Sequence, residues 1–324
     1  MRSIATRLLA GYAVTGPADA SATVLCFNPG GANLISWEIA SELLAAAGVR
    51  LVLHDCRGLG FSDVPAAHDA KEDFDAQFHF DTYSDDAAAL LAHLGITEPV
   101  VIAGSSWGAR PAAATGARFG AQASALVLFD ISFGKADRPV QESGERLARD
   151  KAKRLGINEP RLDFSRIAGG EKAMRTTMAT AKAPYGEGES FTATVLPEGG
   201  GGIVCPTLVA MGYASPAPAP TIRSPRHEQR RCWSREFDPN LVTRPGGANE
   251  VFASLQGRGA EAELRIMEAC GHASVLHRPT LVANVLLDYL IRQGLHHPSD
   301  GVAEAAAAVV AEHTSTVPAP APKL

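Results

Sequence analysis

The pentapeptide Gly104-Ser105-Ser106-Trp107-Gly108 follows the apolar run Val100-Val101-Ile102-Ala103 and leads into a helix-forming stretch. A serine with a glycine two residues away on each side suits a tight strand-to-helix turn. The small neighbours avoid clashes, and the hydroxyl projects from the end of the strand. The N–H of the next residue, Trp107, then lies in the positive field of a helix N-terminus and can hold an oxyanion. Ser106, not Ser105, occupies the central position. A serine needs a base to become nucleophilic at neutral pH, and histidine has a suitable pKa. Ala269-Cys270-Gly271-His272 supplies one, directly after the apolar segment 263–269 and before a helix-forming segment with Pro279 near its start. From such a loop His272 can reach across the carboxyl edge of a parallel sheet. His277 is the local competitor; it lacks the preceding glycine and reads as a surface or groove residue. Each motif alone has a plainer reading, a glycine-lined turn for one and a surface histidine for the other. Their strand-end contexts and the order serine then histidine favour a nucleophile and its base.

Such a pair needs a sheet to carry it. Segments 22–27, 50–55, 100–104, 125–130, 203–212 and 263–269 are apolar and read as buried strands. Segments 36–48, 80–95, 107–119 and 280–293 read as helices between them. Strands separated by helix-length segments imply right-handed βαβ units and a mostly parallel sheet. The rhythm breaks over 131–202, which is charged, has helical stretches near 139–155 and 170–182, and closes on Gly199-Gly200-Gly201-Gly202. It reads as an inserted cap. A Pro- and Arg-rich loop insertion spans 213–246. The division is therefore a core of 1–130 and 203–296, the cap, the loop insertion, and a C-terminal tail of 297–324. That tail is Ala-rich at 303–312 and reads as disordered at its end. The first sixteen residues read as an opening strand or hairpin.

The chain has 324 residues with 46 % hydrophobic and 20 % charged residues, the profile of a globular protein with a sizeable core. Thirty Lys and Arg stand against 35 Asp and Glu, a net charge of −5. This leaves no basic footprint for nucleic acid and disfavours an anionic membrane. The five cysteines, Cys26, Cys56, Cys205, Cys232 and Cys270, are odd in number and widely spread, without metal-ligand spacing. They predict thiols in a reducing compartment, the cytoplasm, rather than disulfides or a zinc site. No apolar run is long enough to span a membrane. The terminal Pro322-Lys323-Leu324 resembles a peroxisomal address of the S-K-L type, with proline in place of the small residue. Arg223, Arg226, Arg230, Arg231 and Arg235 form a basic run, either a solvated surface or an anion-binding rim.

Over about residues 6–134 and 203–293 the chain resembles the α/β-hydrolase superfamily, in its single-domain, esterase-like and epoxide-hydrolase-like branch. The resemblance rests on the 104–108 turn, on His272, and on Asp55-Cys56-Arg57-Gly58-Leu59-Gly60-Phe61-Ser62-Asp63. The last is similar to the family's D-x-R-G-x-G-x-S turn, in which Arg57 and Asp63 read as structural. The resemblance implies an eight-stranded, mostly parallel sheet with helices on both faces and a helical cap after the sixth strand. It implies Ser106 as nucleophile, His272 as base, the Trp107 N–H in the oxyanion hole, and no cofactor or metal. The second oxyanion donor comes from the loop after the third strand, which in the family usually reads His-Gly. Here it reads Asn28-Pro29-Gly30-Gly31. Because the donor is a backbone N–H, Gly30 can serve, with Gly31 as the alternative and a plain turn as the other reading.

The family most often places the acid of the triad after the seventh strand, in a G-x-x-D context. The corresponding Gly212-Tyr213-Ala214-Ser215-Pro216 has a serine there. A subgroup carries the acid at the end of the sixth strand, where this chain has Asp130. Neighbouring strand ends lie about 5 Å apart, so a carboxylate there can reach the His272 Nδ1–H. Asp130 could instead cap the following segment. Glu228 and Asp238 are outside candidates. A serine at the elbow centre disfavours haloalkane dehalogenase and epoxide hydrolase chemistry, for which the related enzymes use Asp. The implied activity is hydrolysis of a small carboxylic ester or lactone through an acyl-enzyme. A proline-iminopeptidase-type aminopeptidase, similar in its Ser-Trp-Gly, comes next, then a C–C hydrolase or perhydrolase. The reading from another class is a non-catalytic binding protein, favoured by Ser215 and the missing His-Gly pair and opposed by Ser106 and His272.

Overall fold

A computed structural model of the chain describes residues 11–63, 78–131, 150–160, 162–167, 202–213, 248–257, 260–272 and 274–317. The apolar runs form β1 (Tyr12–Thr15), β2 (Thr23–Phe27), β3 (Arg50–His54), β4 (Val100–Ser105), β5 (Ala123–Phe129), β6 (Thr207–Tyr213) and β7 (Ala262–Glu268), and β8 (Thr314–Val317) joins them. All eight lie in one sheet in the order β1-β3-β2-β4-β5-β6-β7-β8. The six strands from β3 to β7 run parallel, and β1 and β8 pair antiparallel at the two edges.

The helices are α1 (Glu38–Ala46), α2 (Phe80–His93), α3 (Ala109–Phe119), α4 (Phe164–Ile167), α5 (Ala248–Gln256), α6 (Ser274–His277), α7 (Pro279–Arg292) and α8 (Asp300–His313). They cover both faces of the sheet, which is why its strands read as continuous apolar runs. The alternation is visible residue by residue. Leu25, Ile102 and Leu128 point into a core with Tyr83, Leu90, Ala112 and Phe252. Cys26, Ala103 and Phe129 point into the opposite core with Trp37, Leu44, Val282 and Leu286. The strand order reverses between β2 and β4, so chain segments leave in opposite directions there and open a crevice at their carboxyl ends. The Gly30 loop and the Ser106 turn stand on its two sides.

The C-terminal segment differs from the expected tail. Residues 300–313 are helical, and Ala306 and Val310, one turn apart, are buried against the core that contains α7. Residues 314–317, expected as part of a disordered end, form β8 against β7. An Ala-rich composition hides a two-residue apolar stripe, and a strand of four residues exists only through its partner. Residues 318–324, with the Pro-Lys-Leu terminus, lie outside the described residues. So do most of the cap, nearly all of the 213–246 insertion, and residues 1–10. Among the described residues, no helix is long and apolar enough to cross a membrane.

Candidate active site

β4 ends one residue later than its apolar run, at Ser105, and Ser106 then adopts φ 55°. A short 3-10 turn, Ser106–Gly108, feeds directly into α3. Both glycines of the motif are needed for this reversal. A Cβ on Gly104 would fall 2.4 Å from the Gly108 carbonyl oxygen. A Cβ on Gly108 would fall 2.2 Å from the Asn28 carbonyl oxygen and 2.7 Å from that of Phe27. The elbow thus packs backbone to backbone on the loop after β2. Ser105 is fully buried, whereas Ser106 is half-buried.

Ser106 Oγ and His272 Nε2 lie 2.6 Å apart, although 166 residues separate them in the chain. A proton can pass between them directly. His272 rises on the loop after β7, which starts with Ala269 at φ 50° and crosses the end of β6. Gly212 permits that crossing, since a Cβ there would meet the Gly271 carbonyl oxygen at 2.4 Å. The buried Cys270 thiol, two residues from His272, is pushed well above its usual pKa, by desolvation first and then by the charge of Asp130. It stays protonated and does not compete as a nucleophile.

Asp130, 1 % exposed and also at positive φ (55°), ends β5 beside this loop. Its Oδ1 accepts the Gly212 N–H at 2.9 Å and its Oδ2 accepts the Ser274 N–H at 2.6 Å. Among the described residues, no hydrogen bond joins its carboxylate to the His272 ring. The expected contact with Nδ1 is therefore replaced by contacts with the backbone on either side of the histidine loop. The physical reason is local: each carboxylate oxygen already accepts a backbone N–H, that of Gly212 on one side and that of Ser274 on the other. Ser215, Glu228 and Asp238 lie outside the described residues. Among those described, the three non-glycine residues with positive φ are Ser106, Asp130 and Ala269, all at carboxyl ends of strands around one site. Strain of this kind concentrates where a structure over-determines functional groups.

Trp107 packs edge-on to Tyr83, with ring centroids 5.7 Å apart. Its N–H belongs to the first turn after the nucleophile. Gly30 is exposed at the tip of a turn closed by the Ala32 N–H on the Pro29 carbonyl at 3.2 Å, with Gly31 at φ 73°. A residue that sequence reasoning passed over holds this loop. Asp55 Oδ1 accepts from Asn28 Nδ2 and from the Leu34 N–H, both at 2.7 Å, and its Oδ2 accepts the Phe61 N–H at 2.8 Å. Asp55 thus ties both ends of the 28–34 loop to the turn after β3. Arg57 is structural as expected: its Nε donates to Asp86 of α2 at 2.6 Å in a buried pair. Burial raises the Asp86 pKa, while the Arg57 hydrogen bond and charge act against that rise. Asp63 contributes its carbonyl, which accepts the Gly58 N–H.

The model of the α/β hydrolase fold family matches residues 23–151, the segment from β2 through the elbow and β5. The sheet order and the nucleophile turn agree with this match, and the chain has the α/β-hydrolase fold. The family match supports a hydrolase. Solved structures with the same fold include a thermophilic esterase from Thermogutta terrifontis, 20 % identical, covering 88 % of this chain and 93 % of that one at a TM-score of 0.55. A carboxylesterase from Nitrososphaera gargenis is 18 % identical over 87 % of this chain and 94 % of that one, at a TM-score of 0.55. An epoxide hydrolase mutant from Solanum tuberosum is 16 % identical over 88 % and 97 %, at a TM-score of 0.55. At these identities the likeness is one of fold. No curated protein matches the chain in sequence.

Proposed function

We propose that the protein is a serine hydrolase that cleaves a small carboxylic ester or lactone through an acyl-enzyme. The observation that carries this reading is the 2.6 Å contact between Ser106 Oγ and His272 Nε2 at a strained elbow. As Ser106 Oγ attacks the carbonyl carbon, its proton passes to His272 Nε2 and the carbonyl oxygen becomes an oxyanion. The backbone N–H groups of Trp107 and Gly30 hold that oxyanion. His272 then gives the proton to the leaving alkoxide, and the acyl group stays on Ser106. A water, deprotonated by His272, repeats the sequence and frees the acid. The buried Asp130 carboxylate fixes the histidine loop and places a negative charge near the imidazolium that forms. No metal or organic cofactor takes part in this scheme, and the partner is a small-molecule substrate. The buried free thiols of Cys26, Cys56, Cys205 and Cys270 suit the cytoplasm.

A second reading, a non-catalytic α/β-hydrolase-like binding protein, draws on one observation: both Asp130 oxygens are engaged by backbone N–H groups, not by the histidine ring. One experiment separates the two. A fluorophosphonate probe should label wild-type protein and Ser105→Ala, but not Ser106→Ala. Turnover of p-nitrophenyl acetate should fall by on the order of 10⁶ in Ser106→Ala. Turnover that survives unchanged in Ser106→Ala would refute the mechanism, and an unlabelled wild-type protein would favour the binding reading.

A further inference from the structure

The histidine loop has a second anchor besides Asp130, and it comes from outside the sheet. Arg278, 3 % exposed, stands at the far end of the loop, just before α7. Its guanidinium reaches back to the near end: the NH1 group donates to the Glu268 carbonyl, the last residue of β7, at 2.9 Å. One side chain thus closes the span that carries His272. The same guanidinium donates from Nε to Glu159 Oε1 at 2.7 Å, and Glu159 Oε2 accepts the Thr280 N–H in the first turn of α7 at 3.0 Å. Glu159 belongs to the segment 150–160, part of the chain between β5 and β6. Both its carboxylate oxygens are spent on the loop's end.

The described residues of 150–160 and 162–167 make contacts on both sides of the site. Lys151 donates to the Glu268 carboxylate at 3.0 Å, on the histidine side. Beyond it, Arg166 of α4 forms a two-pronged pair with Glu38 of α1, and its carbonyl accepts from Asn33 Nδ2 at 2.8 Å. Leu162 and Ile167 are buried with Ala32. These last contacts lie on the side of the Gly30 loop. Residues 150–160 and 162–167 therefore touch the two loops that carry the base and the oxyanion donor. Among the described residues of this segment, Glu159 alone grips the base loop through both carboxylate oxygens, in a largely buried pair; the Lys151 contact is partly solvated.

We propose that Glu159 is a positioning residue for His272, which acts through Arg278 and the Thr280 N–H to hold the base within proton-transfer distance of Ser106. The inference rests on the serine hydrolase reading and adds to it. A charged, bidentate clasp suits this task. A guanidinium serves a carboxylate and a carbonyl at fixed angles, whereas an ammonium cannot serve both in the same geometry. Displacement of a catalytic group by about 1 Å can cost around a hundredfold in rate.

The test uses full-length Glu159→Gln, Glu159→Asp, Arg278→Lys and Arg166→Ala, each confirmed as folded by circular dichroism. Glu159→Gln should lower kcat, and the rate of fluorophosphonate labelling of Ser106, by about 10- to 100-fold while KM stays within about threefold. Arg278→Lys should show the same pattern, and it decides the matter if Glu159→Gln does not fold. Glu159→Asp should recover part of the rate. Arg166→Ala detaches the segment from α1 without touching the histidine loop, so its kcat should stay near wild type. A wild-type kcat in both Glu159→Gln and Arg278→Lys would overturn the proposal, as would an equal loss in Arg166→Ala, which would mark Glu159 as a mere anchor of the segment. An unreactive wild-type protein would instead overturn the hydrolase reading, and this inference with it.

Discussion

Asp130→Asn distinguishes a carboxylate that holds a loop from one that holds a ring. Asp130 accepts two backbone N–H groups, a part-buried one from Gly212 and a buried one from Ser274. An asparagine keeps one carbonyl oxygen and presents an NH2 group in place of the other, so one of these N–H groups faces a donor. A hydrogen bond to a charged group is worth about 1.5–3 kcal/mol net, and a buried donor without an acceptor costs about 1–3 kcal/mol. The two figures describe largely the same loss and are not summed, which leaves an expected loss of about 1–3 kcal/mol. The backbone adds nothing, because asparagine tolerates the left-handed conformation at φ 55° as aspartate does. Urea unfolding, followed through tryptophan fluorescence, should show a midpoint lower by about 1 M at unchanged slope. Activity on p-nitrophenyl acetate should fall about a hundredfold, as expected for a displaced base. Direct contact with the imidazole would cost about 10⁴ in kcat instead. An unchanged urea midpoint would refute the loop-holding role, and a 10⁴ loss with that midpoint intact would return Asp130 to the ring.

Gly108→Ala should destabilise the protein by at least about 3 kcal/mol, beyond ordinary overpacking, because its Cβ would meet the Asn28 and Phe27 carbonyls, which are backbone and cannot rotate away. Gly116→Ala in α3 is the control: its Cβ meets only the flexible Leu126 side chain at 3.3 Å, so thermal unfolding should move little. Equal shifts in the two variants would discredit the packing of elbow on loop. A third expectation concerns pH. Burial, opposed by a hydrogen bond to the Cys26 backbone, lowers the His54 pKa from 6.5 to about 4. Below pH 6.5 the unfolded chain takes up a proton that the folded one refuses. Stability is then complete above pH 6.5 and falls as pH drops toward 4, by about 3 kcal/mol. In His54→Asn this slope should disappear between pH 7 and 4.5; parallel loss in both proteins would show that other groups dominate.

The parts of this protein that its sequence determined are those written in short stretches of chain. The strands read at 100–104 and 125–130 were legible because helices bury both faces, so the stretches Val100–Ala103 and Ala125–Phe129 are wholly apolar. The elbow was legible because two backbone close approaches require glycine at 104 and 108. His272 was legible as a glycine-preceded histidine after a strand, and its partner could be inferred because few other residues suit the role of base. The four residues of β8 were not, since they have too little apolar character of their own and become a strand only by pairing with β7. The same holds for the groups that steady the site. Asp55 was passed over in favour of its neighbours Arg57 and Asp63, because its acceptors face donors at Asn28 and Leu34. Asp130 was read as a partner of the His272 ring, and in the fold its carboxylate accepts the N–H groups of Gly212 and Ser274. The Ser274 N–H is 144 residues away in the chain, and Glu159 is 119 residues from Arg278. A carboxylate has no periodicity and no turn signature that names its partner. Only the packed structure, which must satisfy every buried donor and charge at once, makes that choice.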